Sequence, residues 1–371
     1  MVLQIGNKNG ALRVYRKSTS LNIQHDQLSG SSTGRIFTSR HFRKKKRDST
    51  TGYGILRWFG IAVRVSSLFT GCIAKYQAMK TTLLTLCLAC WGILLFGQEP
   101  VFTTFKDTRV INAHSTETLA RRKLDVRISH RFGDVAGDQG GFATFYGLER
   151  AEDVLIGAEY GLTDNVMIGL HRAKGGGTLP DGTQGLTQLL NGVLKFRPFR
   201  QTVDDRRPVS VALLGVASFS AAERIENENL IQNFAKFSHR WAYHGELIVA
   251  RKFSPIFSLQ GSAGYTYRNA VPVGDVNGLF SLGLASRWQI SRVFGLILDA
   301  TLPINDQRTA DEGFYPALGI GLEIETGGHV FQVNLTNATQ IMETSYIPYT
   351  TANWLDGQFR LGFTISRLFN L

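Results

Sequence analysis

The chain has 371 residues and a net charge of +12, but the excess is confined: residues 1–78 hold 14 basic and 2 acidic residues, and residues 79–371 hold 27 of each. A basic nucleic-acid surface is therefore not expected beyond residue 78, and no nucleic-acid partner is expected at all. The three cysteines, Cys72, Cys87 and Cys90, precede residue 98, which excludes disulfides, thiolate zinc modules and thiol enzymes from the rest of the chain.

Residues 1–78 contain Arg43-Lys44-Lys45-Lys46-Arg47 and show little sustained periodicity. They read as a non-native, disordered upstream extension ahead of a true start at Met79, the alternative being a genuine basic extension. Met79-Lys80 opens a secretory signal over 79–97: a cationic start, an apolar run from Leu83 to Phe96, and small Gly97 before Gln98. That run is shorter than the roughly 20 residues of a spanning helix. Leu95 departs from the small residue preferred at the −3 position, and the apolar run continues past Cys90, which argues against lipidation. Residues 98–120 are expected as a periplasmic N-terminal segment. Its polar cluster, Asn112-Ala-His114-Ser115-Thr116-Glu117, reads either as a plug or ligand contact in the mouth or, preferred here, as a Ser/Thr-rich turn before the first strand.

From about residue 121 the pattern settles to period two, as in Leu124-Asp-Val126-Arg-Ile128-Ser and Phe359-Arg-Leu361-Gly-Phe363-Thr-Ile365-Ser. Twelve strands are expected near 121–131, 153–161, 164–173, 187–198, 208–219, 237–252, 256–268, 276–290, 293–302, 314–326, 328–336 and 355–369, with no helix between them. Several are long for soluble strands and suffice for a bilayer crossing of roughly 9–11 tilted residues. Connections alternate. Those after even-numbered segments are tight, except Phe199 to Arg207; those after odd-numbered segments are mostly long and polar. Such asymmetry is that of an outer-membrane barrel with periplasmic turns and external loops. Phe196, Phe253, Phe257, Trp288, Phe294 and Phe369 flank the short turns, and Phe219, Phe237, Trp241, Tyr267, Phe314 and Trp354 sit near the long loops, as two aromatic girdles would.

In hydrocarbon every backbone polar group needs a partner, so the sheet must close. The expected fold is an all-β, closed, up-and-down antiparallel transmembrane barrel over 121–371. Its apolar face turns to lipid, and its polar face lines a lumen with Arg127, Lys195, Arg240, His244, Glu246, Arg287, Asp299, Glu323 and Arg360. Gly175-Gly176-Gly177 reads as a flexible external loop, since no Gly-Lys-Ser/Thr follows. No cofactor, metal or catalytic residue is expected.

The stretches Phe105-Lys-Asp-Thr-Arg-Val-Ile-Asn112-Ala-His114-Ser-Thr-Glu117-Thr-Leu, Leu124-Asp-Val-Arg-Ile-Ser-His130-Arg-Phe-Gly133 and Glu159-Tyr-Gly-Leu-Thr-Asp164 resemble a domain-of-unknown-function family of Gram-negative outer-membrane β-barrel proteins. The resemblance covers roughly residues 100–371. It implies fold and location, and it carries no functional residues across. The reading is a narrow passive channel or solute-uptake pore of the outer membrane with a mixed-charge lumen. The alternatives are a non-conducting structural or partner-docking barrel and, second, an outer-membrane lipid hydrolase using His244 and Glu246. A soluble sandwich is a third. Expected partners are outer-membrane lipids and the barrel assembly machinery; solute and oligomeric state stay open.

Overall fold

The computed structural model describes residues 103–228 and 230–371. The upstream extension, the signal segment and residues 98–102 lie outside the described residues.

Alternating apolar and polar side chains fold into twelve strands: β1 (Lys123–Asp134), β2 (Ala151–Thr163), β3 (Val166–Gly175), β4 (Thr187–Phe199), β5 (Ser210–Ser220), β6 (Trp241–Ser254), β7 (Phe257–Arg268), β8 (Gly278–Gln289), β9 (Phe294–Ile304), β10 (Ala317–Glu325), β11 (His329–Thr336) and β12 (Arg360–Asn370). Each pairs antiparallel with its sequence neighbours, and β12 returns to β1, so the sheet is a closed barrel. At the seam Leu124 lies opposite Phe369, and Ile128 opposite Ile365. Closure leaves no unpaired edge.

Connections at one end are short: 164–165, 255–256, 290–293 and 326–328, with 200–209 the longer exception. In the last of the short turns Gly327 and Gly328 hold φ of 55° and 144°, a region that side chains disfavour. The opposite end carries the long loops 135–150, 176–186, 221–240, 269–277, 305–316 and 337–359.

Period two decides which side chains meet what. Val126, Ile128, Ile156, Leu170, Leu194 and Leu284 point outward and are exposed, whereas Asp125, Arg127, Glu159, His171 and Lys195 point inward and are buried. Phe196, Phe253, Trp288, Phe294 and Phe369 are exposed near the short turns, and Phe257 packs on Trp288 at 4.3 Å between ring centres. At the other end Phe219 meets Trp241 at 5.0 Å and Tyr265 meets Phe280 at 4.8 Å.

Three local expectations are corrected. The long loop before β12 contains a short helix, α1 (Glu343–Tyr349), every residue of which is buried. Phe314 is no girdle residue: it is buried, with the Arg308 guanidinium 4.2 Å above its ring. The sixth strand begins at Trp241, because Phe237–Arg240 wind into a 3₁₀ turn.

Candidate functional site

Residues 104–118 do not lie across the mouth as a simple turn. They enter the lumen as a tight hairpin, here called the tongue. Arg109 bridges His114 across it, Ser115 N–H donates to Thr108 O (2.9 Å), and Val110 N–H donates to Ala113 O (2.8 Å). The Asn112–Glu117 cluster is therefore a plug.

Inward side chains around the ring grip the tongue's backbone. Asp299 on β9 holds the tip: its Oδ2 accepts the N–H groups of Ile111 (3.1 Å), Asn112 (2.5 Å) and Ala113 (3.0 Å), and its Oδ1 accepts Asn112 Nδ2 (2.7 Å). Gly319 on the neighbouring strand makes room, since a Cβ there would stand 2.6 Å from Asp299 Oδ1. Lys195 on β4 spends its three donors on the carbonyls of Thr108 (2.9 Å), Ser115 (3.0 Å) and Glu117 (3.0 Å). Arg127 pairs with Asp107 and Asp125, Arg197 with Glu117 at 2.7 Å, and Thr108 Oγ1 donates to Glu159 at 2.7 Å. Gln260 Nε2 reaches His114 O at 2.8 Å.

From the long-loop side, residues 337–352 fold inward as a return loop carrying α1. Ile341 and Met342 join the apolar inner patch of Leu155, Leu189, Val193, Leu214 and Ile248. Arg131 donates to Ala338 O at 2.8 Å, and Asp153 accepts Ile341 N–H at 2.9 Å. Arg109 joins the two inserts, bonding Ile341 O (3.0 Å) and Glu343 (2.5 Å). His114 sits at this junction, with Nε2 3.7 Å from Glu343 Oε1. Burial pushes its pKa well below the usual range, and Arg109, Lys195, His171 and Arg127 add to the shift, so the ring stays neutral.

At the short-turn end the tongue leaves a vestibule of about 560 Å³, bordered by Lys106, Glu117, Asp164, Arg197, Arg200 and Glu325. Deeper in, the spaces beside Arg109, Arg127 and Gln332 and beside Arg268 and Thr344 are about 10 Å³ each, at most one water.

Of the residues expected in the lumen, Arg127, Lys195, His244, Arg287, Asp299 and Glu323 are buried inside it. Arg127, Lys195 and Asp299 converge on the tongue. Arg287 and Glu323 pair apart from it at 2.8 Å. His244 lies 3.6 Å from Glu246 through Nε2, too far for a hydrogen bond, and its Nδ1 meets Thr266 Oγ1 at 2.9 Å. Arg360 opens β12 at the long-loop rim and donates to Gln358 O at 3.0 Å. Arg240 is a correction. It lies in the 3₁₀ turn and not on the wall, donating to the carbonyls of Ser220 (3.0 Å) and Ala222 (2.6 Å). Arg131, Asp153, Glu159 and Arg197 are further inward residues, and strand parity marks them: Arg131 falls in step with Arg127, and Arg197 with Lys195. Asp107, Arg109, Glu117 and Glu343 carry no comparable signal.

A family model described as a membrane bound beta barrel domain (DUF5777) matches residues 105–369, which includes all three stretches that carry the resemblance. Solved structures similar to the chain are outer-membrane porins and channels. The NanC porin is 12% identical, with 67% of this chain and 100% of that one covered and a TM-score of 0.39. The KdgM porin in complex with disordered oligogalacturonate is 6% identical, with 66% and 98% covered and a TM-score of 0.38. The outer membrane channel DcaP of Acinetobacter baumannii is 9% identical, with 67% and 96% covered and a TM-score of 0.31. No curated protein matches the sequence.

Proposed function

We propose, from the premise that this chain belongs to the DUF5777 family of membrane-bound β-barrel domains, that it is a passive channel of the outer membrane whose mixed-charge lumen is closed by its own tongue. On this reading the signal over 79–97 exports it, the short turns face the periplasm, and the vestibule is the periplasmic entrance.

One observation carries the reading. Ionic side chains line much of the path where wall and tongue meet, with Asp299 on three backbone amides and Lys195 on three carbonyls, and the apolar contact of Phe105, Val110 and Ile111 with Ala250, Ala285 and Ile297 occupies only part of it. A barrel filled for stability alone gains little from buried charge, since desolvation offsets most of the attraction. A wall that bonds the tongue through polar groups offers the same groups to water and ions when the tongue leaves.

Planar-bilayer recording tests it. The intact chain should give rare, small steps, and a variant lacking residues 104–118 should give frequent, larger ones. Silence from both would favour the second reading, a non-conducting docking barrel, which the packing of Ile341 and Met342 supports from the other side. Nothing in the geometry favours the lipid-hydrolase alternative: His244 is buried and stands 3.6 Å from Glu246.

A further inference from the structure

The outer wall is not uniform at the long-loop end. On β5 to β8 its outward residues there are uncharged and mostly aromatic, as with Phe219, Trp241, Tyr243, Tyr267 and Phe280. On β3 the same level carries Arg172 and Lys174, both exposed. They share the outward face with Ile168 and Leu170, and Arg172 stands opposite Ile156 on one side and Leu190 on the other. Among the described residues neither has a carboxylate partner. Arg172 Nη1 donates to Gln188 O at 2.5 Å, and Lys174 Nζ donates to Ala151 O at 2.7 Å. The adjacent carboxylate, Glu152, is engaged by Arg150 at 3.0 Å. Cations on the lipid-facing side of a membrane wall are costly unless an anion meets them at headgroup level.

Beside them the outer surface is hollow. A groove of about 690 Å³ runs across β4, β5 and β6 to β7, with Gly192, Gly215 and Gly245 on its floor and Leu194, Tyr243 and Tyr265 on its sides. Gly192 lies two positions further into the wall than Leu190, the register partner of Arg172. Gly215 pairs with Gly245 directly. The fold does not call for these glycines: none has a positive φ. A Cβ at Gly245 would meet nothing within 4 Å, and one at Gly192 or Gly215 would first meet a carbonyl at 4.0 Å. Glycine inside a strand weakens it and often marks a site of close approach by something else.

We propose that the outward face of β3 to β6 binds a phosphate-bearing acylated lipid of the leaflet at the long-loop end, with its phosphate on Arg172 and Lys174 and one acyl chain in the glycine-floored groove. The site is separate from the lumen and does not depend on whether the lumen conducts.

Native mass spectrometry of the full chain in detergent tests this with three probes: diphosphorylated lipid A, its dephosphorylated form and inorganic phosphate. Wild type should retain one lipid A and little of the other two. Each cation near a charged headgroup contributes about fivefold, so Arg172→Gln with Lys174→Gln should lower retention roughly 25-fold. Gly215→Leu with Gly245→Leu adds side chains into open space, leaves heat-modifiable gel migration unchanged and should also abolish retention. Should the cation variant fail to fold, the groove variant decides alone. Full retention by the groove variant overturns the acyl site, and equal retention of dephosphorylated lipid A overturns the phosphate site.

Discussion

The tongue and the return loop fill one lumen, yet the wall holds them by forces in different proportion. The tongue meets charge from three strands, where Asp299, Lys195, Arg127 and Arg197 bind its backbone and its acids, beside an apolar contact of Phe105, Val110 and Ile111 with Ala250, Ala285 and Ile297. The return loop meets more grease, with Ile341 and Met342 buried against Leu155, Leu189, Val193 and Leu214, and fewer polar clamps, Arg131 on Ala338 O and Asp153 on Ile341 N–H. Strand β5 shows the contrast within the wall itself, because its inward residues, Ala212, Leu214, Val216 and Ser218, include no charge. Apolar packing is non-directional and lost gradually, whereas polar clamps fail when one partner changes. Single substitutions at the charged clamps are therefore expected to loosen the tongue before the return loop.

The largest effect should come from Asp299→Ala. It strands three buried amides and the Asn112 side chain, each worth about 1–3 kcal/mol, or roughly 4 kcal/mol and upward together. Hydrogen exchange should rise sharply at 111–113 and trypsin should cut at Arg109, while amides in α1 keep their protection. Simultaneous opening of α1 would mean the inserts act as one body. Met342→Ala should give the reverse pattern, costing about 2–5 kcal/mol through the cavity it leaves. The read-out is a lower unfolding temperature by heat-modifiable migration, with tongue protection retained.

The smallest effect is a pH dependence confined to the tongue. Inside the barrel the His114 pKa is depressed, chiefly by burial, and in a released tongue it returns to about 6.5. The released form then binds more protons below that value, so the tongue is fully held above about pH 6.5. It weakens by at most about 1.4 kcal/mol per unit as pH falls. Exchange at 111–113 measured at pH 7.5 and 5.5 should show this in the wild type and lose it in His114→Gln. An equal pH slope in the variant would assign it to another group.

The strand pattern was legible because period two is local: each residue reports its own face, and parity alone places Arg127, Lys195 and Asp299 inside. The inward charge of Arg240 was misread for a local reason too, since the turn that ends before Trp241 interrupts the alternation. The tongue was not legible in the same way. Its ligands come from β1, β2, β4, β7, β9, β10 and β11, and no spacing within 104–118 announces them. The cluster from Asn112 to Glu117 stands out as polar, but its hydrogen-bond partners lie as far as 224 positions away, as with Asn112 and Thr336. The buried helix α1 leaves no helical signature in the sequence, because it is short and carries Pro348.

The seam between β1 and β12 has a consequence for biogenesis. The tongue directly precedes β1, the first strand made, and the staves that clasp it are spread round the circumference as far as β11. The ring shuts only when the last stave finds the first. The leading end therefore either lies within before that last pairing forms or threads in afterwards through the short-turn mouth, and only the first route ties the stoppered product to the order of closure.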